Sequence, residues 1–319
     1  MAKRILVVLG GSGFVGSEVV RAALRSFGSQ NGRHAGAAAA SVSSSGETFE
    51  NEDDDFVVMA VSRRGAPITS SAPGGDLRDH PCVQWVAADV TQPGAVNDVI
   101  KSAMSASGGA TIVGVVHAVG VLFDATTPRG GKLNRFISQS ESVPGESGTY
   151  EALNRDSVID ALGAIKDAPD CTSVPFVYMS AAEAGWPEVW GGATIENFFA
   201  PSFLKRYLCC KRAAESSIRE AASAGSVLPS VLRPSLVYDT SKRSMWGMAP
   251  LFGAFFVANA IGLPFVDKPV SVQTLASAAV EMVAQPPPAG TCAFLRNAEM
   301  VQAHERLELR LASKHGREQ

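Results

Sequence analysis

Apolar residues cluster first in Ile5-Leu6-Val7-Val8-Leu9, a run without alternation that stops at glycines. A strand buried on both faces of a parallel sheet reads this way. Residues 14–27 change period. Val15, Val19, Ala22 and Ala23 recur at helical spacing and predict a helix. Strand-like runs return at Phe56–Ser62, Val83–Ala87, Thr111–His117, Phe176–Ser180 and Ser230–Leu232. Helical patterns fall between them at 94–106, 149–167 and 203–224. Strands alternating with helices predict βαβ units and a doubly wound α/β fold, a parallel sheet with helices on both faces.

Three stretches break the rhythm. Residues 28–55 are rich in Gly, Ala and Ser and end in an acidic run, Glu50 to Asp55, which predicts a disordered insertion. Residues 244–266 carry no charge. They are long enough to span a bilayer, but Pro250, Asn259 and several glycines favour a buried or interfacial helix. Pro286-Pro287-Pro288 is a breaker, and a charged tail follows. The expected organisation is a nucleotide-binding domain over 3–240, a small substrate lobe over 241–288 and a tail over 289–319.

Composition narrows the classes. Of 319 residues, 46% are hydrophobic and 18% charged, which excludes a wholly disordered or fibrous chain. The formal charge of −3 lacks the basic footprint of a nucleic-acid binder. The five cysteines are scattered without a CxxC, so neither a disulfide framework nor a zinc site is expected, and no metal is. The first apolar run is too short for a signal-peptide core, and no transit peptide is visible.

The chemistry begins at Gly10-Gly11-Ser12-Gly13-Phe14-Val15-Gly16, spaced G-x-x-G-x-x-G between the first strand and the first helix. Glycines there let the backbone turn and approach a pyrophosphate, whose charge meets helix N-terminal amides. In that context the loop predicts a dinucleotide site. At the end of the second strand, where an acidic residue would hold the ribose hydroxyls of NAD, stand Arg63 and Arg64. A guanidinium can grip a 2′-phosphate, so NADP(H) is expected over NAD(H). Asp89 ends the third strand, placed either to accept from an adenine amino group or to cap a turn. Val90, Ala118, Val119 and Gly120 complete the expected nucleotide-contact set.

Tyr207 and Lys211 form a Y-x-x-x-K pair, one turn apart on a helix face. A nearby ammonium favours the phenolate and would bring the phenol towards the working pH range as an acid–base group. Lys211 would also hold the nicotinamide ribose. Ser180 ends a strand, where its hydroxyl would polarise a substrate carbonyl and orient Tyr207. His117 reads as a core or cofactor-lining residue and Asn154 as either a backbone-bonding amide or a surface one. Cys209 and Cys210 read as packing residues, and Trp186 and Trp190 as core or lid.

These motifs, with Arg233-Pro234-Ser235-Leu236-Val237-Tyr238, resemble the extended or atypical branch of the short-chain dehydrogenase/reductase superfamily. Three segments are similar to a narrower group: Val83 to Asp89, Val115 to Leu122 and Tyr178 to Glu183. That group comprises mitochondrial members associated with ubiquinone biosynthesis and the Rossmann-type accessory subunit of respiratory complex I. Residues 269–276 are similar to its late segment, and the likeness covers about 3–285. It implies a bound nicotinamide dinucleotide, a carbonyl or lipophilic quinone-like substrate and a mitochondrial location, peripheral at the inner membrane. It equally implies a catalytically silent nucleotide-binding subunit of an inner-membrane complex. Two departures concern the substrate pocket: Ala181-Ala182-Glu183 replaces the usual serines after Ser180, and a long loop over 181–202 leads to Tyr207.

Overall fold

The computed structural model describes residues 3–28, 56–68, 77–105, 110–127, 134, 145, 147–168, 173–239, 253, 257 and 266–315. The insertion expected after residue 28 and most of the uncharged stretch 244–266 lie outside them. Among the described residues no helix is long and apolar enough to cross a membrane.

The first half alternates as its periodicity predicts. Strand β1 (Arg4–Leu9) leads to α1 (Phe14–Phe27), then β2 (Phe56–Ser62), β3 (Val83–Ala87), α2 (Ala95–Ser105) and β4 (Thr111–His117). A π-helical turn (Ala152–Asp156) runs into α3 (Ser157–Lys166), followed by β5 (Val174–Met179). The presumed loop before Tyr207 is instead a 3₁₀ helix (Ala182–Glu188) and a short α4 (Gly192–Phe199). Helix α5 (Ser202–Ser223), β6 (Val227–Leu232) and β7 (Val237–Tyr238) follow. The chain ends in β8 (Val270–Ser271), α6 (Val272–Ala284), β9 (Ala293–Leu295) and α7 (Asn297–His315).

Seven strands form one sheet in the order β3-β2-β1-β4-β5-β6-β9, and every pair in it is parallel. The unbroken apolar runs now have a cause. Ile5, Val7 and Leu9 pack with α2, α3 and α5 on one face. Leu6 and Val8 pack with α1, α6 and α7 on the other. Because side chains alternate across a strand, burying both faces demands apolar residues at every position. The strand order reverses between β1 and β4, which opens a crevice at the carboxyl ends of the strands.

The expected division of the C-terminal third is corrected here. Residues 289–315 are not a tail: β9 pairs with β6 and completes the sheet, and α7 covers it through Met300, Ala303 and Leu307. Helix α7 also neutralises buried Glu281 on α6, through Arg310 and more distantly Arg306 at 3.7 Å. Helix α6 likewise belongs to the main body, since it packs on α1 and on β4–β6. What remains apart from the large sheet is the pair β7–β8, with Val237 opposite Val270.

Candidate functional site

A cavity of about 620 Å³ runs along the carboxyl ends of the strands. Its first half is built on the glycine loop. Gly10 sits at φ +85°, in the left-handed region that favours glycine. The Gly10 and Gly11 amides both donate to the Val61 carbonyl at 2.9 Å, which ties the loop to the end of β2. A Cβ on Gly16 would stand 2.1 Å from the Gly10 oxygen, so only glycine lets α1 press this closely on the loop. Gly10, Ser12, Gly13, Phe14 and Val15 line the cavity. Gly11 and Gly16 act behind it, through packing. No side chain caps α1 at Gly13, so the positive end of the helix is turned to the cavity uncapped.

Arg63 and Arg64 are exposed at the rim of the same cavity, in a turn closed by the Gly65 amide donating to Ser62. Asp89 caps its turn and also lines the cavity. One oxygen accepts from the Thr91 amide (3.0 Å) and hydroxyl (2.8 Å), and the residue lines the cavity beside Val90. Ala118, Val119 and Gly120 line the cavity as well.

The second half centres on α5, which carries Tyr207 and Lys211 on its cavity face. Lys211 is buried and donates to the Met179 carbonyl at 2.7 Å. Its ammonium lies 4.8 Å from the Tyr178 ring centre and 5.7 Å from that of Tyr207. Asn154 is a buried, backbone-bonding amide. It accepts from the Val121 amide (3.3 Å), donates to the Val121 carbonyl (3.2 Å) and so fixes the loop after β4. It projects from the π-helical turn, a distortion common at functional sites. A Cβ on Gly120 would meet the Asn154 oxygen at 3.0 Å and the Lys211 nitrogen at 3.3 Å, so this glycine lets the two approach.

Two groups in this half have partners that helical spacing and strand position do not reveal. The Ser180 hydroxyl donates to Glu215 at 2.6 Å. Glu215 is in turn held by Arg233. The Tyr207 phenol is not brought down. Burial first, then the charge of Glu183 and the proximity of Tyr150, raise it above its ordinary value. Lys211 supplies little opposing charge because burial lowers it from 10.5 to about 7, against the pull of Glu215.

The far wall is apolar. Leu122, Phe123, Trp186, Phe203, Leu204 and Leu236 line it, with the Phe123 and Phe203 ring centres 5.0 Å apart. Glu183 interrupts this wall with a carboxyl that burial raises from 4.5 to about 7. In the sequence, Glu183 stands out only as the end of the Tyr178–Glu183 segment and as part of the departure from a serine run. A charged residue directly after a buried strand end was the available signal. Trp186 reaches the cavity, whereas Trp190 is 91% exposed. Cys209 is exposed. Cys210 is buried, and burial pushes its thiol up to about 11. His117 belongs to the core: its Nε2 bonds the Ser157 hydroxyl at 3.0 Å, and burial lowers it to about 3.

No protein-family model matches the sequence. Solved structures do. A short-chain type dehydrogenase/reductase from Mycobacterium ulcerans is 18% identical, with 94% of this chain and 90% of that one covered, at a TM-score of 0.54. A gluconate 5-dehydrogenase from Burkholderia cenocepacia, in complex with NADP and tartrate, is 12% identical over 94% and 96%, also at 0.54. A 3-oxoacyl (acyl-carrier-protein) reductase from Agrobacterium tumefaciens with NADP bound is 15% identical over 92% and 93%, at 0.50. The fold is that of the short-chain dehydrogenases/reductases. The narrower mitochondrial likeness rests on sequence segments alone.

Lys211 makes stability depend on pH. Its folded value, about 7, lies below its ordinary 10.5, so between these values the unfolded chain binds more protons than the folded one. Stability from this residue is therefore lost below about 7 and regained as pH rises towards 10.5. Thermal melts of the nucleotide-free protein should show a rise in Tm across that window. In Lys211→Met the rise should be shallower, and equal slopes in both proteins would refute the assignment.

Proposed function

We propose that the protein is a short-chain-type oxidoreductase that binds NADP(H) and reduces an apolar carbonyl or quinone-like compound. The observation that carries this reading is a single cavity shared by the glycine loop, the uncapped end of α1 and the Tyr207–Lys211 pair. The cradle suits a dinucleotide. Side chains at Gly10, Gly11 or Gly16 would strike backbone or neighbouring side-chain atoms, and the open helix end offers positive potential to a pyrophosphate. Gly10, Ser12, Gly13, Phe14 and Val15 would hold the phosphates, Asp89 and Val90 the adenine side, and Ala118 to Gly120 with Lys211 the nicotinamide side. The bound group would supply the hydride.

The chain's own residues do the rest. Tyr207 holds its proton and gives it to the carbonyl oxygen as negative charge develops there. The apolar wall excludes water and selects a substrate with little charge. Ser180, whose hydroxyl donates to Glu215 in this arrangement, stands in the same cavity as a second group able to turn towards the carbonyl. The purified chain should consume NADPH with an apolar quinone such as menadione. Absence of turnover with quinones and aromatic ketones, alongside tight NADPH binding, would replace this reading.

The hydrogen bond from Ser180 to Glu215 favours a second reading, a nucleotide-binding subunit of a larger assembly in which the site is silent. The link to ubiquinone biosynthesis, a mitochondrial location and an inner-membrane complex such as respiratory complex I is supported by the sequence resemblance alone. Stability or assembly that depends on nucleotide, without turnover, would favour this second reading.

The preference for NADP(H) rests on Arg63 and Arg64 at the cavity rim. Replacing both with alanine should weaken NADPH binding much more than NADH binding. A charge-assisted phosphate contact contributes about 1.5–3 kcal/mol, so discrimination should fall at least about tenfold by calorimetric titration. Equal losses for the two nucleotides would show that neither arginine reads the 2′-phosphate.

A further inference from the structure

Glu183 is left over from the oxidoreductase reading. It stands on the first turn of the 3₁₀ helix, directly beyond the strand that ends at Met179. It lines the same cavity as Tyr207, and its charge is felt at the Tyr207 phenol. Its carboxylate accepts from its own main-chain amide, and no side-chain hydrogen bond holds it among the described residues. The charged groups facing it from other elements are Asp267 and Arg296, which are paired to each other at 2.8 and 2.9 Å. A carboxylate and a phenol thus line one largely apolar pocket, close enough for the charge of one to act on the other.

That pairing is suited to carbon-acid chemistry. A phenol that keeps its proton can donate to a carbonyl oxygen, and a carboxylate beside it can take a proton from the adjacent carbon. We propose that the cavity also enolises apolar ketones, with Glu183 as the base and Tyr207 as the donor to the carbonyl oxygen. The C–H bond next to the carbonyl breaks and its proton passes to Glu183. The C–H electron pair forms the C=C bond. The carbonyl π pair moves onto oxygen, where the Tyr207 hydroxyl stabilises it. Return of a proton from Glu183 to carbon restores the ketone, so the outcome is exchange or inversion at that carbon with no net oxidation. This activity shares the cavity of the proposed oxidoreductase but not its hydride step, so the two readings fail separately.

The environment of each group matches its role. Burial holds the phenol protonated, and burial places the carboxyl at about 7, where it is a base near neutral pH. The test uses the full chain in heavy water without nucleotide, with α-tetralone as probe and deuterium uptake read by mass spectrometry. The wild type should speed uptake, with a rate that rises through a midpoint near 7. Glu183→Gln and Tyr207→Phe should each slow it by roughly 10²–10⁴-fold, the usual contribution of a positioned acid or base. Glu183→Asp, which keeps the carboxyl, should retain part of the rate. Uptake no faster with the wild type than with Glu183→Gln would overturn the proposal. If Glu183→Gln does not fold, a wild-type rate without the pH limb near neutrality would overturn it instead.

Discussion

Replacing Tyr207 with phenylalanine is expected to abolish hydride transfer and leave nucleotide affinity almost unchanged. In the proposed reaction the hydroxyl would give its proton only as charge develops on the substrate oxygen, so its loss would fall on the transition state. A positioned general acid contributes roughly 10²–10⁴-fold, or about 3–5 kcal/mol of barrier. The phenol is held above its ordinary value by burial and by Glu183, so it is present as the protonated donor that reduction of a carbonyl needs. Lys211→Met should differ. Its ammonium stands 3.3 Å from where a Cβ on Gly120 would lie, on the wall assigned to the nicotinamide side, so nucleotide affinity and rate should fall together. Single-turnover kinetics with menadione, paired with NADPH titrations, separate the two patterns. A Tyr207→Phe protein that keeps most of the wild-type rate would remove Tyr207 from the chemistry.

Much of this site is legible in the amino-acid sequence itself. The reason is that its parts are local. The run 5–9, the glycines at 10–16 and the helix from Phe14 are contiguous, and each constrains the next: a doubly buried strand, a turn at positive φ, a helix end left open. Tyr207 and Lys211 are legible because helical spacing alone puts them on one face. The misses are of another kind. Strand β9 has three residues, too few for any period to register, and becomes a strand only because β6 offers an open edge. Helix α7 buries Met300, Ala303 and Leu307, but the charged residues around them dominate its composition. Around α4, the run Gly185, Pro187, Gly191 and Gly192 signals a loop, and Trp190 and Phe198 are exposed where an amphipathic pattern would bury them.

Ser180 shows where sequence reasoning stops. Its position at the end of β5 is local information, but the direction of its hydroxyl is set by Glu215, 35 residues away on α5. The Tyr207 phenol shows the same limit: helical spacing puts Lys211 beside it, but the depth of α5 against the sheet buries that ammonium, and Glu183 approaches from another element.

The network behind Ser180 supports the second large effect. Arg233 is 3% exposed and grips two carboxylates at once. It donates to both oxygens of Glu215 (3.0 and 2.7 Å) and to both of Glu188 (2.6 and 2.8 Å). Its guanidinium carbon also lies 4.5 Å from the Phe294 ring centre on β9. The end of β6, α5, the 3₁₀ helix and β9 are therefore joined through one side chain. Glycine at 185 is part of this arrangement, because a Cβ there would come within 2.8 Å of the Arg233 Nη1. Arg233→Met should destabilise the protein by about 3–5 kcal/mol, since Glu215 would be left buried with only Lys211, itself weakened by burial, as a basic neighbour. Glu188, half-exposed, contributes little to that loss because water can take over its partner. The double variant Arg233→Met with Glu215→Leu should recover a large part of the stability, because removing both charges also removes the desolvation cost. Denaturant melts of the two single variants and the double one close the cycle. A double variant as unstable as the sum of the singles would show that the ion pair is not the source of the effect. The cycle also reports on the site: in Glu215→Leu the Ser180 hydroxyl loses its acceptor and Lys211 loses the carboxylate that favours its charge, so the Lys211 pH dependence of stability should move to lower pH.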